Sequence, residues 1–336
     1  MSHGEPARPL VSVIVRTRDR LEPLGEALAS VAAQTYRPLE AVVVNDGGAP
    51  VGGVVDRVRD RLAVRLVEHP EPRGRAAAAN AGVRAAAGEW VAFLDDDDLY
   101  LPEHVATVME AARREGVELA YAACRVLHPA AGPEGEVLAR PFDPEALAIA
   151  NSIPTCAVVV RREAVLAVGG FDEELEFLED WELWLRLAAR GRFAFVPEVT
   201  SVYRAGPASV GGDMAGERWA AMVRVLERHW EKVRPGALVR RLHELERDIA
   251  ALRAELLRVA GDAEAAERGR AEAVAARDRL AARVAELEAR EAALGDELER
   301  LRAEHRELAA VVSGAMRLRI APLLARLGRR GGGGGG

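Results

Sequence analysis

The chain has 336 residues, 49% hydrophobic and 29% charged, which is enough apolar material for a sizeable core and too much for a disordered chain. Its formal charge of -7 gives no electrostatic case for a nucleic-acid partner. Two cysteines, Cys124 and Cys156, without CxxC spacing exclude a disulfide framework or a thiolate zinc site as the organising principle and fit a reducing cytoplasm.

Residues 1–9 lack the apolar core of a signal peptide and are expected to be disordered. Short apolar, β-branched runs follow at 10–15, 39–44, 64–67 and 90–94. Helical patterns at 22–33, 52–62, 75–87 and 102–115 lie between and after them. Near-continuous apolar strands alternating with helices predict a mostly parallel α/β sheet flanked by helices. Further strands are expected at 117–127 and 155–161, with a loop or hairpin at 130–142 and a turn at 169–172. A helix over 177–190, a strand pair within 193–203 and a helix over 214–232 complete a domain spanning 10–235.

From Leu238 the composition turns to Ala, Arg, Glu and Leu. One heptad register runs from Leu238 through Leu245, Ile249 and Leu252 to Leu287, Leu294 and Val312, predicting an all-α coiled coil over 238–312. Its middle is weak, with Ala263, Ala266, Arg270 and Ala273 on the seam. Two arrangements stay open: a self-associating homo-oligomer, or a helix folding back within the chain. Residues 313–330 are expected to be an amphipathic tail, either for peripheral contact with the inner face of a membrane or for docking, or a helix capping the coiled coil. Residues 331–336, all glycine, are expected to be a flexible end. No run reaches the ~20 apolar residues that cross a bilayer, so a cytoplasmic location is expected.

Ligands of such sheets bind beyond the C-terminal strand ends, and two carboxylate signals fall there. WVAFLDDDD (90–98) delivers Asp95, Asp96, Asp97 and Asp98 from the end of a strand. Four adjacent like charges are unfavourable unless solvated or neutralised, and hard oxygen ligands suit Mg²⁺ or Mn²⁺. The plainer reading is a solvated acidic loop, with Asp98 capping the helix near Pro102. AVVVNDGG (41–48) places Asp46 at the same edge, before glycines that permit close backbone approach. Neither GxGxxG nor GxxxxGK[ST] follows these strands, which argues against a dinucleotide site or a P-loop.

Together these segments resemble the family 2 glycosyltransferases. The carriers are Arg16-Thr17-Arg18-Asp19-Arg20 after the first strand, Asn45-Asp46-Gly47-Gly48, Gly74-Arg75 through Asn80-Ala81-Gly82, Asp95–Asp98, and Glu179-Asp180-Trp181-Glu182-Leu183-Trp184. The resemblance implies a GT-A nucleotide-diphospho-sugar transferase fold and an inverting, metal-dependent transfer from a nucleotide-sugar donor. It implies Thr17, Asp46, Arg75, Asp95 and Asp96 as donor contacts. Asp97 and Asp95 become metal ligands, the register being open by one residue to Asp96 and Asp98. Asp180 becomes the general base; Glu179, Trp181 and Arg204 are candidate acceptor or phosphate contacts, while Trp184 is assigned to the core.

Three positions depart from the family pattern: Arg16 replaces a usual proline, Ala79 a usual arginine, and Ala205-Gly206 the place of a usual histidine. They leave room for a second reading, a degenerate domain serving as a scaffold. A sugar nucleotidyltransferase would want a glycine-rich basic loop after the first strand, and Arg16–Arg20 has no glycine. Residues 313–323 resemble a stretch that follows coiled coils in some bacterial polysaccharide and O-antigen glycosyltransferases. That implies surface-glycan assembly on a glycan or lipid-linked acceptor.

Overall fold

The computed structural model describes residues 8–127, 134–205, 215–265, 275–300 and 303. The chain divides into two compact units, Met1–Ala237 and Leu238–Gly336.

The first unit runs β1 (Val11–Thr17), α1 (Leu21–Ala32), β2 (Leu39–Asp46), α2 (Gly52–Val55), β3 (Ala63–His69), α3 (Arg75–Ala85) and β4 (Trp90–Asp95). It continues with β5 (Leu99–Tyr100), α4 (His104–Glu115), β6 (Leu119–Leu127), β7 (Glu136–Leu138), α5 (Pro144–Leu147) and β8 (Val158–Arg161). Then come α6 (Arg162–Ala167), α7 (Glu179–Ala188), β9 (Ala194–Arg204) and α8 (Ala215–Arg228). One sheet carries the strands in the order β3-β2-β1-β4-β8-β6-β9-β5, with β7 alongside β6.

The first four strands pair in parallel, as their apolar runs predict. All of β1 and β2 is buried, so both faces of this half are covered. Helix α1 turns Leu24, Ala27, Leu28 and Val31 inward, at the spacing of one helical face. Helix α3 lies so close to β1 that a Cβ on Gly82 would stand 2.3 Å from Ile14 Cγ2. Only glycine permits that approach.

Beyond β4 the sheet is mixed rather than parallel. β8 runs antiparallel to both β4 and β6, while β9 is parallel to β6 and antiparallel to β5. The expected strand pair within 193–203 is one strand. The register with β6 jumps from Val196 to Val199, so a bulge absorbs Pro197 and Glu198 where proline suggests a break. The helix expected over 52–62 is helical only over α2, and turns follow it as far as residue 61. The α6 helix was not anticipated.

The second unit contains most of α9 (Pro235–Ala265) and a helix over 275–300, here α10. Leu245 and Ile249 bury against Leu287, flanked by Leu252 and Leu294, and Arg253 pairs with Glu288. In one continuous helix Ile249 and Leu287 would stand about 57 Å apart at 1.5 Å per residue, so the chain folds back. Over these positions the heptad seam closes within the chain, and a self-associating rod would have to draw on other seam positions. Among the described residues no helix is long and apolar enough to cross a membrane. The tail at 313–330 and the glycines at 331–336 lie outside the described residues, as does most of the N-terminal stretch.

Candidate active site

The parallel half of the sheet brings Thr17, Asp46 and Asp95 to one edge, because each ends its strand there. Strand register then decides which side chains meet. Arg16 of β1 stands beside Asp95 of β4, and Asp46 of β2 beside His69 of β3. In-register neighbours on parallel strands project to the same face, and both pairs are hydrogen-bonded.

The four consecutive aspartates occupy four different surroundings. Asp95 Oδ1 accepts from Arg16 Nε at 2.9 Å and Nη2 at 2.5 Å, and Oδ2 accepts from Arg75 Nη2 at 3.0 Å. Burial pushes this carboxyl up, but Arg16 and Arg75 outweigh it and hold the pKa at about 2. Asp96 turns inward, taking Thr17 Oγ1 at 2.7 Å and Arg20 at 3.0 Å. Burial there prevails over the Thr17 hydrogen bond and raises it to about 6.

Asp97 faces outward to Arg20 Nη2 at 2.7 Å. Asp98 is buried and accepts the Arg204 backbone N–H at 2.9 Å. Burial first, and the charge of Asp95 second, raise its pKa well above the usual carboxylate range. The capping role expected of Asp98 is absent: α4 starts at His104, after Glu103, with no side-chain cap.

Asp95, Asp97 and Asp98 each offer one oxygen, all within 4.8 Å of one another. That donor set fits a hard divalent cation such as Mg²⁺ or Mn²⁺. A cation there would also neutralise the charge that burial makes costly at Asp98. Asp96 is not a member of the group, since Thr17 and Arg20 hold it elsewhere.

Asp46 lies at the expected edge, but its oxygens are occupied. They accept from His69 Nδ1 at 2.7 Å and from the backbone N–H groups of Arg73 and Gly74, both at 2.9 Å. Burial would raise its pKa, yet these hydrogen bonds bring it below the usual value. Asp46 thereby shapes the turn that launches α3, and with it the position of Arg75. Arg75 is half exposed, bonded to Asp95 and 3.6 Å from Glu179.

The acidic start of α7 comes to the same place. Asp180 Oδ2 accepts from Asn151 Nδ2 at 3.1 Å and Thr155 Oγ1 at 2.8 Å, and Oδ1 from the Trp181 N–H at 2.7 Å. Burial, then the neighbouring Glu179 charge, raise its pKa. Glu179 is buried against Arg16 Nη1 at 2.8 Å.

Trp181 corrects the expectation of an acceptor contact. It is 1% exposed and its indole N–H donates to the Leu147 carbonyl at 2.6 Å. The apolar face of α7 that it shares with Leu185 needs core partners, and it finds them. Trp184 is also core, bonded to the Ile153 carbonyl at 3.1 Å. Arg204 does reach the acid run, donating to the Asp97 carbonyl and to Glu26.

The sequence alone assigns no individual role to Arg20, His69, Asn151 or Thr155, and marks Arg16 only as part of the motif after β1 and as a departure within it. Their partners lie 23 to 163 residues away in the chain. The spacing of Arg16 and Asp95 at matching strand ends was the one usable signal.

Residues 12–136 match the family model for glycosyl transferase family 2. The chain is 26% identical over 227 residues to the uncharacterized glycosyltransferase YwdF of Bacillus subtilis, covering 65% of this chain and 84% of that one. Several other curated relatives are spanned over 62–64% of their length. Among solved structures, the mannosyltransferase PcManGT of Pyrobaculum calidifontis, in complex with GDP-Man and Mn²⁺, superposes with a TM-score of 0.50 at 24% identity. That match covers 82% of this chain and 86% of that one. S. aureus TarS in complex with UDP-GlcNAc gives 0.52 at 17% identity, covering 64% and 65%. At these identities the two structures speak for a shared fold.

Proposed function

We propose that this chain, whose residues 12–136 match the glycosyl transferase family 2 model and which is similar to a curated glycosyltransferase, is a family 2 enzyme that moves a sugar from a nucleotide-diphosphate donor to an acceptor hydroxyl with inversion. The observation that carries this reading is the meeting, at one sheet edge, of a three-carboxylate cluster with the acidic start of α7. The donor class is supported by the nucleotide sugars bound in the two structural neighbours.

Asp97 and Asp98, with Asp95, would hold Mg²⁺ or Mn²⁺, which when bound offsets the negative charge developing on the departing diphosphate. Arg75, half exposed beside Asp95, would meet the phosphates. Thr17 and Asp96 order the floor next to the donor. Asp180 accepts the proton as the acceptor hydroxyl attacks the anomeric carbon and the bond to the diphosphate breaks. Its raised pKa makes it a stronger base than an exposed aspartate, and Asn151 and Thr155 fix its orientation.

The scaffold reading is less favoured, because the carboxylates are present and individually supported. Surface-glycan assembly and a lipid-linked acceptor rest on residues 313–323, which lie outside the described residues. The test is calorimetry with UDP-, GDP- and dTDP-sugars, with and without Mn²⁺. Asp97→Ala should abolish metal-dependent binding. Asp180→Asn should retain it while turnover falls by roughly 10²- to 10⁴-fold. Retained transfer in Asp180→Asn removes the base assignment, and absence of any donor binding returns the scaffold reading.

A further inference from the structure

We propose that Arg16 is a positioning residue that ties the helix bearing Asp180 to the acid run, so that the two halves of the site keep a fixed spacing. The inference rests on the reading of Asp180 as base, and goes beyond it by naming what places that base.

Arg16 is 8% exposed at the end of β1. Its Nε and Nη2 both donate to Asp95 Oδ1, and its Nη1 donates to Glu179 Oε1 at 2.8 Å and to the Arg75 carbonyl at 3.2 Å. One planar fork therefore engages a carboxylate of the acid run, the residue before Asp180, and the first turn of α3. Those groups come from β4, α7 and α3, and Glu179 lies 163 residues along the chain from Arg16. A lysine, with a single point charge, could not span the same partners.

Helix α7 needs an external hold. It begins after Leu178, which sits at φ +60 with no side-chain cap. A non-glycine residue there is costly unless its surroundings enforce it. The first-turn carboxylates Glu179 and Asp180 are each held from outside the helix, one by Arg16 and the other by Asn151 and Thr155. Arg75 cannot replace Arg16, because it is half exposed and stands 3.6 Å from Glu179.

Burying an arginine between two carboxylates yields little net stability compared with an apolar core. What it does supply is direction, since one rigid, planar guanidinium donates from Nε and Nη2 to Asp95 and from Nη1 to Glu179, which sets the spacing between the two carboxylates. Small misplacement of a reacting group costs turnover steeply.

The test uses the full-length chain and whichever of UDP-glucose, UDP-N-acetylglucosamine or GDP-mannose the wild type turns over with Mn²⁺, read as nucleotide release. Arg16→Met should lower kcat roughly 10- to 100-fold, by clearly more than it lowers calorimetric affinity for the nucleoside diphosphate and Mn²⁺, because Arg75 still holds Asp95. Arg16→Lys should recover part of the loss. Because Arg16→Met strands Glu179, the double variant Arg16→Met/Glu179→Gln is made to restore thermal stability. Turnover should stay low in it. Recovery of kcat together with stability would overturn the proposal, as would donor affinity falling in parallel with kcat. A wild type that binds no donor overturns the proposed function itself. A binding, active wild type matched by Arg16→Met overturns only the role of Arg16.

Discussion

Asn80 clasps Phe171 at both backbone groups: its Oδ1 accepts the Phe171 N–H at 2.8 Å and its Nδ2 donates to the Phe171 carbonyl at 2.9 Å. The clasp joins α3 to the turn that precedes α7, so the helix carrying Arg75 and the helix carrying Asp180 share one fastening. It also explains Gly170, whose φ is +77 and whose added Cβ would stand 2.4 Å from Asn80 Oδ1.

Gly170→Ala is expected to destabilise the first unit by more than about 1 kcal/mol, through positive φ and the clash. Asn80→Ala should cost about 1–3 kcal/mol by leaving buried backbone groups of Phe171 unpaired. Thermal or urea unfolding measures both, and an unchanged midpoint in either would contradict the clasp.

Asp46 makes a different prediction from that of a donor contact. Asp46→Ala leaves the N–H groups of Arg73 and Gly74 without their acceptor, so nucleotide affinity should fall together with thermal stability, by about 1–3 kcal/mol in the latter. A pure base or ribose contact would weaken affinity and leave the melting temperature alone.

His104 sets an acid limb to stability. It is fully buried, stacked on Tyr100 at 4.0 Å, with Nδ1 on Thr200 Oγ1 at 2.8 Å. Burial lowers its pKa from 6.5 to about 3. The folded state keeps it neutral, while the unfolded chain takes up a proton below 6.5. Its contribution is therefore complete above pH 6.5 and declines as pH falls toward 3, by up to ~1.4 kcal/mol per pH unit. The melting temperature of His104→Asn, compared with wild type between pH 7.5 and 4.5, should show a shallower decline.

The fold-back of the second unit is checked by distance. Spin labels at Arg253 and Glu288, paired across the two helices, should report a short separation within one chain. A continuous helix would place them about 52 Å apart at 1.5 Å per residue. The long distance would restore the extended rod.

By itself the sequence determined the parallel half of the sheet. Strands buried on both faces read as near-continuous apolar runs, and Val11–Val15, interrupted only by Ser12, Ala41–Val44 and Val91–Leu94 do so. It also determined that carboxylates crowd one strand end, because nothing in folding asks for Asp95–Asp98 in a row. What it left open was how those four divide, and that depends on contacts across the sheet. Register set Arg16 against Asp95, and Thr17 drew Asp96 inward. Arg204, arriving at the end of β9, brought its N–H to Asp98. Trp181 was undecidable for the same reason, since one helix offers its ring to core or ligand until packing chooses. The heptads likewise marked an apolar seam on α9 without saying what covers it. Leu245 and Ile249 need an apolar partner, and a seam on the same chain satisfies that need as well as one on another; only the tertiary structure supplied Leu287.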